Sequence, residues 1–172
     1  MEQALLKQGL EVREFNNIKK IGVIADTHGD EIPDKVFDLF NDVDLILHAG
    51  DILELGTLNK FEKPLIAVYG NMDSDAVREK LPGKVIIKVN NFKIGLTHGY
   101  GAPDGLADRV KNEFDEKPDC IVFGHSHSPY NETKDNILFF NPGSATDKVF
   151  TNINSIGILS LNKKIEGEIV KL

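Results

Sequence analysis

Five times within the first 127 residues, a short apolar run ends abruptly in a small cluster of Asp, Asn, His and Gly. Ile21 to Ala25 runs into Asp26-Thr27-His28, and Asp44 to His48 is followed by Gly50-Asp51. Leu65 to Tyr69 leads to Gly70-Asn71-Met72-Asp73, Phe92 to Thr97 to His98-Gly99, and Cys120 to Phe123 to Gly124-His125-Ser126-His127. Runs this short, rich in β-branched residues and bounded by polar turns, read as buried strands. Ligand sites in α/β folds lie beyond the carboxyl ends of the strands, so the five clusters are expected to converge at one sheet edge.

The segments between these runs set the fold class. Pro33 can open a helix whose Val36, Phe37 and Phe40 share a face, Leu58 and Phe61 mark a weaker helical unit, and Ser74 can cap a helix that ends before Pro82. Parallel crossovers are the natural connection for such β-α units. From Val85 the period changes from 3.6 to 2, with Val85 to Val89 and Phe92 to Thr97 flanking Asn90-Asn91 as a hairpin. Leu106, Val110 and Phe114 at i, i+4 and i+8 predict a further helix. Ile137 to Phe140, Ser155 to Leu161 and Ile165 to Val170 predict strands, the last two joined by a turn at Asn162-Lys163-Lys164. The expected architecture is α/β, a two-sheet sandwich flanked by helices.

With 172 residues and 41% apolar content the chain suits one domain, assigned to residues 18–172, preceded by a segment 1–17 of unknown role. That segment, with Leu5, Leu6 and Leu10 among mixed charges, can be a short helix, an interface arm or an appended extension, and a homo-oligomer is left open. A net charge of -7 disfavours binding of polymeric nucleic acid, which relies on basic surface to displace counterions. The single cysteine, Cys120, sits in an apolar run and reads as a buried strand residue, not a nucleophile. No run approaches the length of a membrane span and no apolar signal core opens the chain, so the expectation is a cytoplasmic protein without a membrane partner.

The clusters carry chemistry. Oxygen and imidazole donors without thiolate suit manganese, iron, cobalt, nickel or zinc in a reactive site better than a structural zinc site. Asp and His at alternate positions, or two His separated by one residue, can turn toward one ion from an extended backbone. Gly50, Gly70, Gly99 and Gly124 stand beside these donors, where close backbone approach favours a residue without Cβ. Each cluster also has a plainer reading. Asp26 and Asp51 can cap helices, Asn71 and Asp73 can serve a turn, and His28, His98, His125 and His127 can be satisfied polar residues at strand ends. His48, alone in an apolar strand, reads as a core residue or a support for a ligand. For Asp73 the turn or supporting role is favoured.

The ordered set resembles the calcineurin-type metallophosphoesterase superfamily, and within it the small YfcE-like phosphodiesterase branch, over residues 18–172. The resemblance implies a four-layer αββα fold and two divalent transition-metal ions, with manganese first and iron, nickel, cobalt or zinc as alternatives. It implies Asp26, His28, Asp51 and His127 at one metal and Asp51, Asn71, His98 and His125 at the other, with Asp51 bridging. The implied activity is hydrolysis of a small phosphodiester by a hydroxide shared between the metals and attacking phosphorus in line, with Asp51, Asn71 and His98 closest to the chemistry. A phosphomonoesterase would share every ligand. A non-catalytic scaffold resembling the retromer subunit of the superfamily would not need the complete set that stands here. Many superfamily members carry a histidine after the Gly-Asn pair, where it serves the leaving group. Here that position is Met72, which cannot donate a proton, a substitution the YfcE-like branch shares. Asn141-Pro142-Gly143-Ser144 resembles a family turn near the site and reads equally well as a plain Pro-Gly turn.

Overall fold

The computed structural model describes residues 13–172, so Leu5, Leu6 and Leu10 lie outside the described residues. The first half contains β1 (Arg13–Phe15), β2 (Lys20–Ile24), α1 (Asp34–Phe40), β3 (Leu45–His48), β4 (Leu65–Ala67) and α2 (Asp75–Lys80). The second contains β5 (Lys84–Val89), β6 (Phe92–Thr97), α3 (Leu106–Lys111), β7 (Cys120–Val122), β8 (Tyr130–Lys134), β9 (Ile137–Asn141), β10 (Ser155–Leu161) and β11 (Ile165–Lys171). A five-stranded sheet runs β11-β10-β2-β3-β4 and a six-stranded sheet β1-β5-β6-β7-β9-β8.

Strand parity builds the layers. On β2 and β3, Ile21, Val23, Leu45 and Leu47 face the other sheet, where Ile94, Leu96, Cys120, Val122, Leu138 and Phe140 meet them. The opposite parity faces outward. Ile24 and Ile46 pack with Val36 and Phe40 of α1, while Ile121, Phe123, Ile137 and Phe139 pack with Leu106 and Val110 of α3. Helices therefore cover both outer faces, giving the helix-sheet-sheet-helix sandwich. Because the central strands are covered on both sides, they read as continuous apolar runs without alternation. Phe140 is fully buried between the sheets, and its truncation to Ala costs about 3–5 kcal/mol through lost transfer energy and the cavity left behind.

The pairing matches the expected connections: β2, β3 and β4 are mutually parallel, and β5 and β6 form an antiparallel hairpin in which Val89 faces Phe92. β10 and β11 close around residues 162–164, with Leu161 opposite Ile165. Several details differ from the sequence expectations. The unit around Leu58 is a 3-10 helix, Leu55–Lys60, and Ser74 stands at the N-cap of α2 without a side-chain capping bond. α3 stops at Lys111, so Phe114 lies beyond it, yet still packs against the α3 cluster and over Gly95.

Two strands carry little apolar signal. β8 is exposed along almost its whole length and is held by its pairing with β9 across Asp135-Asn136, both in the left-handed conformation that two-residue hairpins use. β1 falls inside the segment set apart as 1–17: Arg13, Glu14 and Phe15 pair in parallel with Ile87, Lys88 and Val89, and Phe15 packs against the inter-sheet core. The C-terminal part of that segment thus adds an edge strand to the domain.

Candidate metal centre

Three parallel strands of one sheet, β2, β3 and β4, and two of the other, β6 and β7, end on the same side of the sandwich. The loops leaving them bring the donors together. Asp26, His28 and His127 form one group whose donor atoms lie within 4.8 Å of one another, and Asp26, Asp51 and His98 form a second. His28 Nε2 and His127 Nε2 are 3.1 Å apart, and His127 Nε2 is 3.7 Å from Asp26 Oδ1. Asn71 Oδ1 lies 2.9 Å from both His98 Nε2 and His125 Nδ1, and Asp51 Oδ2 lies 3.4 Å from His98 Nε2 and 3.9 Å from His28 Nε2. Asp51 thus stands between the two sets.

The convergence does not come from extended backbone, as alternate spacing suggested. Asp26, His28, Asp51, His125 and His127 all adopt positive φ, between 49° and 71°. Left-handed backbone at non-glycine residues costs about 1–3 kcal/mol each and persists where surrounding structure enforces it. Asp26 is held on both sides. Its carbonyl accepts from Ser144 Oγ at 2.7 Å, and its carboxylate accepts the His125 N–H at 3.1 and 3.2 Å. Close approach explains the glycines: a Cβ on Gly70 would stand 2.2 Å from Asp51 Oδ1, and one on Gly50 2.7 Å from His98 Nδ1.

Each of three histidines has one ring nitrogen committed to an acceptor. His98 Nδ1 donates to the Ala49 carbonyl at 2.8 Å, His125 Nε2 to the Gly101 carbonyl at 2.7 Å, and His127 Nδ1 to Asp147 Oδ2 at 2.6 Å. The other nitrogens, His98 Nε2, His125 Nδ1 and His127 Nε2, face the cluster, beside the Asn71 carboxamide or a second imidazole. In their neutral form these nitrogens offer lone pairs at which a metal ion can bind. The donor set thus fits divalent transition metals, with hard carboxylate and carboxamide oxygens and borderline imidazole nitrogens.

Electrostatics agree. Burial pushes the Asp26 carboxyl up to about 7 despite His98 and His127 nearby. Burial also raises Asp51, but the contacts from His98, the Met72 N–H and His28 outweigh it and hold this carboxyl below its ordinary range. For His98 burial lowers the pKa, and the Asp51 and Asp26 carboxylates more than compensate. Burial leaves His28 below its usual value.

Among the supporting residues, His48 is fully buried, accepts the Gly50 N–H through Nδ1 at 3.3 Å and meets Thr27 Oγ1 through Nε2 at 3.1 Å. Burial drives its pKa down to about 3, so it is a neutral brace between the Asp26 and Asp51 loops. Asp73 has a similar task. Its carboxylate accepts the N–H groups of Ile52 at 2.8 Å, Leu53 at 2.6 Å and Gly70 at 2.7 Å, tying the Asp51 loop to the Asn71 loop. The Asn141 to Ser144 turn is a scaffold as well, since Asn141 Nδ2 donates to the Gly124 carbonyl at 2.7 Å and Ser144 holds Asp26.

Sequence reasoning missed Asp147, which fixes the His127 tautomer, and Arg78, whose guanidinium donates to the carbonyls of Asp73 at 2.8 Å and Asn71 at 2.9 Å. Neither sits in a recognisable cluster. The one available signal for Asp147 was its position three residues past a Pro-Gly turn already placed near the site.

A two-sheet sandwich that gathers carboxylates, imidazoles and a carboxamide at one end of its parallel strands is the architecture of a metal-dependent phosphoester hydrolase. The chain belongs to the calcineurin-like phosphoesterase superfamily, whose domain model matches residues 20–164. It is 37% identical over 161 residues to a probable metallophosphoesterase of Methanocaldococcus jannaschii, covering 88% of this chain and 81% of that one. Among solved structures, an archaeal phosphodiesterase superposes with a TM-score of 0.72 at 29% identity, over 89% of this chain and 99% of the other. Vps29 of Entamoeba histolytica, in a zinc complex, superposes with a TM-score of 0.67 at 25% identity, over 88% and 98%. No helix among the described residues is long and apolar enough to cross a membrane.

Proposed function

We propose that the chain hydrolyses small phosphodiesters using two divalent transition-metal ions, manganese foremost, in the cytoplasm and without a polymeric nucleic acid as substrate. Asp26, His28, Asp51 and His127 would hold the first ion and Asp51, Asn71, His98 and His125 the second, with Asp51 shared. Such a pair supplies an acidified water and neutralises charge on the phosphoryl group in transfer. The protein's own part is orientation. Ala49, Gly101 and Asp147 fix three imidazole tautomers, Asp73 and His48 brace the carboxylate loops, and the Asn71 amide, whose oxygen faces His98 and His125, is placed to direct its NH₂ to a phosphoryl oxygen.

The observation that carries this reading is the convergence of four imidazoles, two carboxylates and a carboxamide at one end of the parallel strands, with three of the imidazoles held by outer acceptors so that the other ring nitrogen faces the cluster. A scaffold that only binds partners has no use for this set of donors and the braces behind them. Elemental analysis of purified protein, combined with paired phenyl phosphate and diphenyl phosphate-type substrates, tests it. The expected result is about two metals per chain and faster turnover of the diester. Preference for the monoester would move the assignment to a phosphomonoesterase, and metal binding without turnover of either would sink the catalytic reading.

A further inference from the structure

The described residues expose five large apolar side chains: Met72 at 59%, Tyr100 at 55%, Val149 at 80%, Phe150 at 81% and Ile153 at 46%. They are not scattered. Met72 follows Asn71 and donates its N–H to Asp51 Oδ1 at 2.8 Å. Tyr100 precedes Gly101, whose carbonyl holds His125. Val149 and Phe150 follow Asp147, whose carboxylate holds His127. Single exposed apolar residues need no explanation, but all five stand in loops that also carry donors or their supports, Ile153 in the loop of Asp147, and the Phe150 ring touches a donor directly.

Polar anchors pin these loops. Asp147 accepts the N–H groups of Val149 at 2.7 Å and Phe150 at 3.0 Å with the same carboxylate that holds His127 at 2.6 Å, so the aromatic ring and the donor share one reference point. The Phe150 ring stands edge-on to the His127 imidazole, with centroids 5.5 Å apart and planes at 81°. Arg109 donates to the Tyr100 carbonyl at 2.9 Å, and Arg78 to the Asn71 carbonyl at 2.9 Å. The two arginines beside the site thus direct donors to backbone carbonyls, while apolar surface is presented to solvent.

We infer that the phosphodiester handled here carries an aromatic group close to phosphorus, and that Phe150 is the residue selecting it. The inference rests on the phosphodiesterase reading and adds the substrate class. A phosphate bound among the donors would stand beside His127, and a flat ring attached to it would reach the exposed Phe150 ring. A small aliphatic group leaves Phe150 in water and gains nothing from it.

The test uses the full chain, metal-loaded and matched for metal content, and calorimetric binding of phenylphosphonate and methylphosphonate, two non-hydrolysable anions with the same head group. Wild type is expected to bind the phenyl compound about three- to tenfold more tightly, the range typical of one aromatic pair. Phe150→Ala removes that preference and Phe150→Tyr keeps it. The side chain is almost wholly exposed, so neither variant threatens folding. Equal affinities in wild type, absence of binding by either anion, or an unchanged preference in Phe150→Ala overturns the inference. So does loss of preference accompanied by a dimer that Phe150→Ala dissolves, which assigns the apolar mouth to a contact between copies. Hydrolysis of bis(4-nitrophenyl) phosphate is followed in the same preparations: no turnover with any of the five metals defeats the activity, while the phosphonate ratio alone decides the role of Phe150.

Discussion

Asp147 Oδ2 lies 2.6 Å from His127 Nδ1, a contact between side chains twenty positions apart that decides which imidazole nitrogen faces the cluster. Burial raises the Asp147 pKa, but the N–H groups of Val149 and Phe150 and the His127 ring outweigh it and keep this carboxyl below its ordinary range. It is therefore ionised at neutral pH, where it both orients the ring and strengthens it as a donor.

Asp147→Asn should weaken metal binding at the His127 position by about 10- to 100-fold, the usual consequence of removing a carboxylate behind a ligating histidine. Titration of metal-free protein with manganese, followed calorimetrically, measures it. Affinity equal to wild type would mean that the loop alone orients the ring.

Asp51→Asn should abolish nearly all hydrolysis, because this carboxylate stands between both donor sets, 3.4 Å from His98 and 3.9 Å from His28. His127→Ala should deplete mainly the first metal and His125→Ala mainly the second. Anomalous scattering at the metal edges separates the two positions. Loss of the same metal from both variants would break the assignment of ligands.

Metal uptake should release a proton at mildly acidic pH. Asp26 has a carboxyl raised by burial to about 7 in the metal-free fold, against an ordinary value of 3.8. Its folded pKa exceeds its unfolded one, so its contribution to metal-free stability is complete below the unfolded value and is lost as pH rises through about 7. A metal needs the ionised form and competes with that proton, so affinity should climb as pH rises toward 7 and then level off for this group. Calorimetry in buffers of different ionisation enthalpy counts the proton, and a pH-independent affinity between pH 5.5 and 7.5 would contradict the scheme.

Relative to a chain that lacks residues 1–12, one that lacks 1–17 also loses β1 and Phe15 and should be less stable by about 1–3 kcal/mol, chiefly through apolar area returned to water. Hydrolysis per folded molecule should survive both, since every donor follows Asp26. Urea titration with parallel rate assays separates the two effects. Equal stability of the two truncations would make β1 dispensable.

Met72→His should flatten the dependence of rate on leaving-group basicity. Residue 72 is mostly exposed, and its N–H anchors Asp51, so an imidazole there stands at the mouth without disturbing the core. General acid catalysis supplies about 10²- to 10⁴-fold where proton transfer limits, so alkyl diesters should gain and nitrophenyl diesters scarcely change. Equal slopes for the two proteins would show that another group already donates the proton.

Much of this molecule is legible in the chain itself. A strand covered on both faces must be apolar throughout, so β2, β3 and β7 announce themselves. A run that gives way to Asp, Asn or His leaves few structural reasons for the change, and the resemblance to the metallophosphoesterase superfamily then names seven of those residues as candidate donors before any geometry. Parity alone also separates Leu47, facing the other sheet, from Ile46, facing α1. Other features depend on contacts that sequence spacing does not encode. β8 is polar and exposed, and it is a strand only because β9 pairs with it. β1 is short and earns its place from Val89 across the sheet edge. Local sequence shows that His48 is apolar-flanked, but only the approach of Gly50 N–H and Thr27 Oγ1 makes it a neutral brace. Asp147 and Phe150 belong to an irregular loop without period. Their meaning comes from one carboxylate that accepts backbone N–H groups on one side and the His127 ring on the other. Residue type and period follow from which surfaces a strand must bury, whereas the tautomer of a ligand and the face of an aromatic wall follow from which distant groups the closed sandwich places within hydrogen-bonding reach.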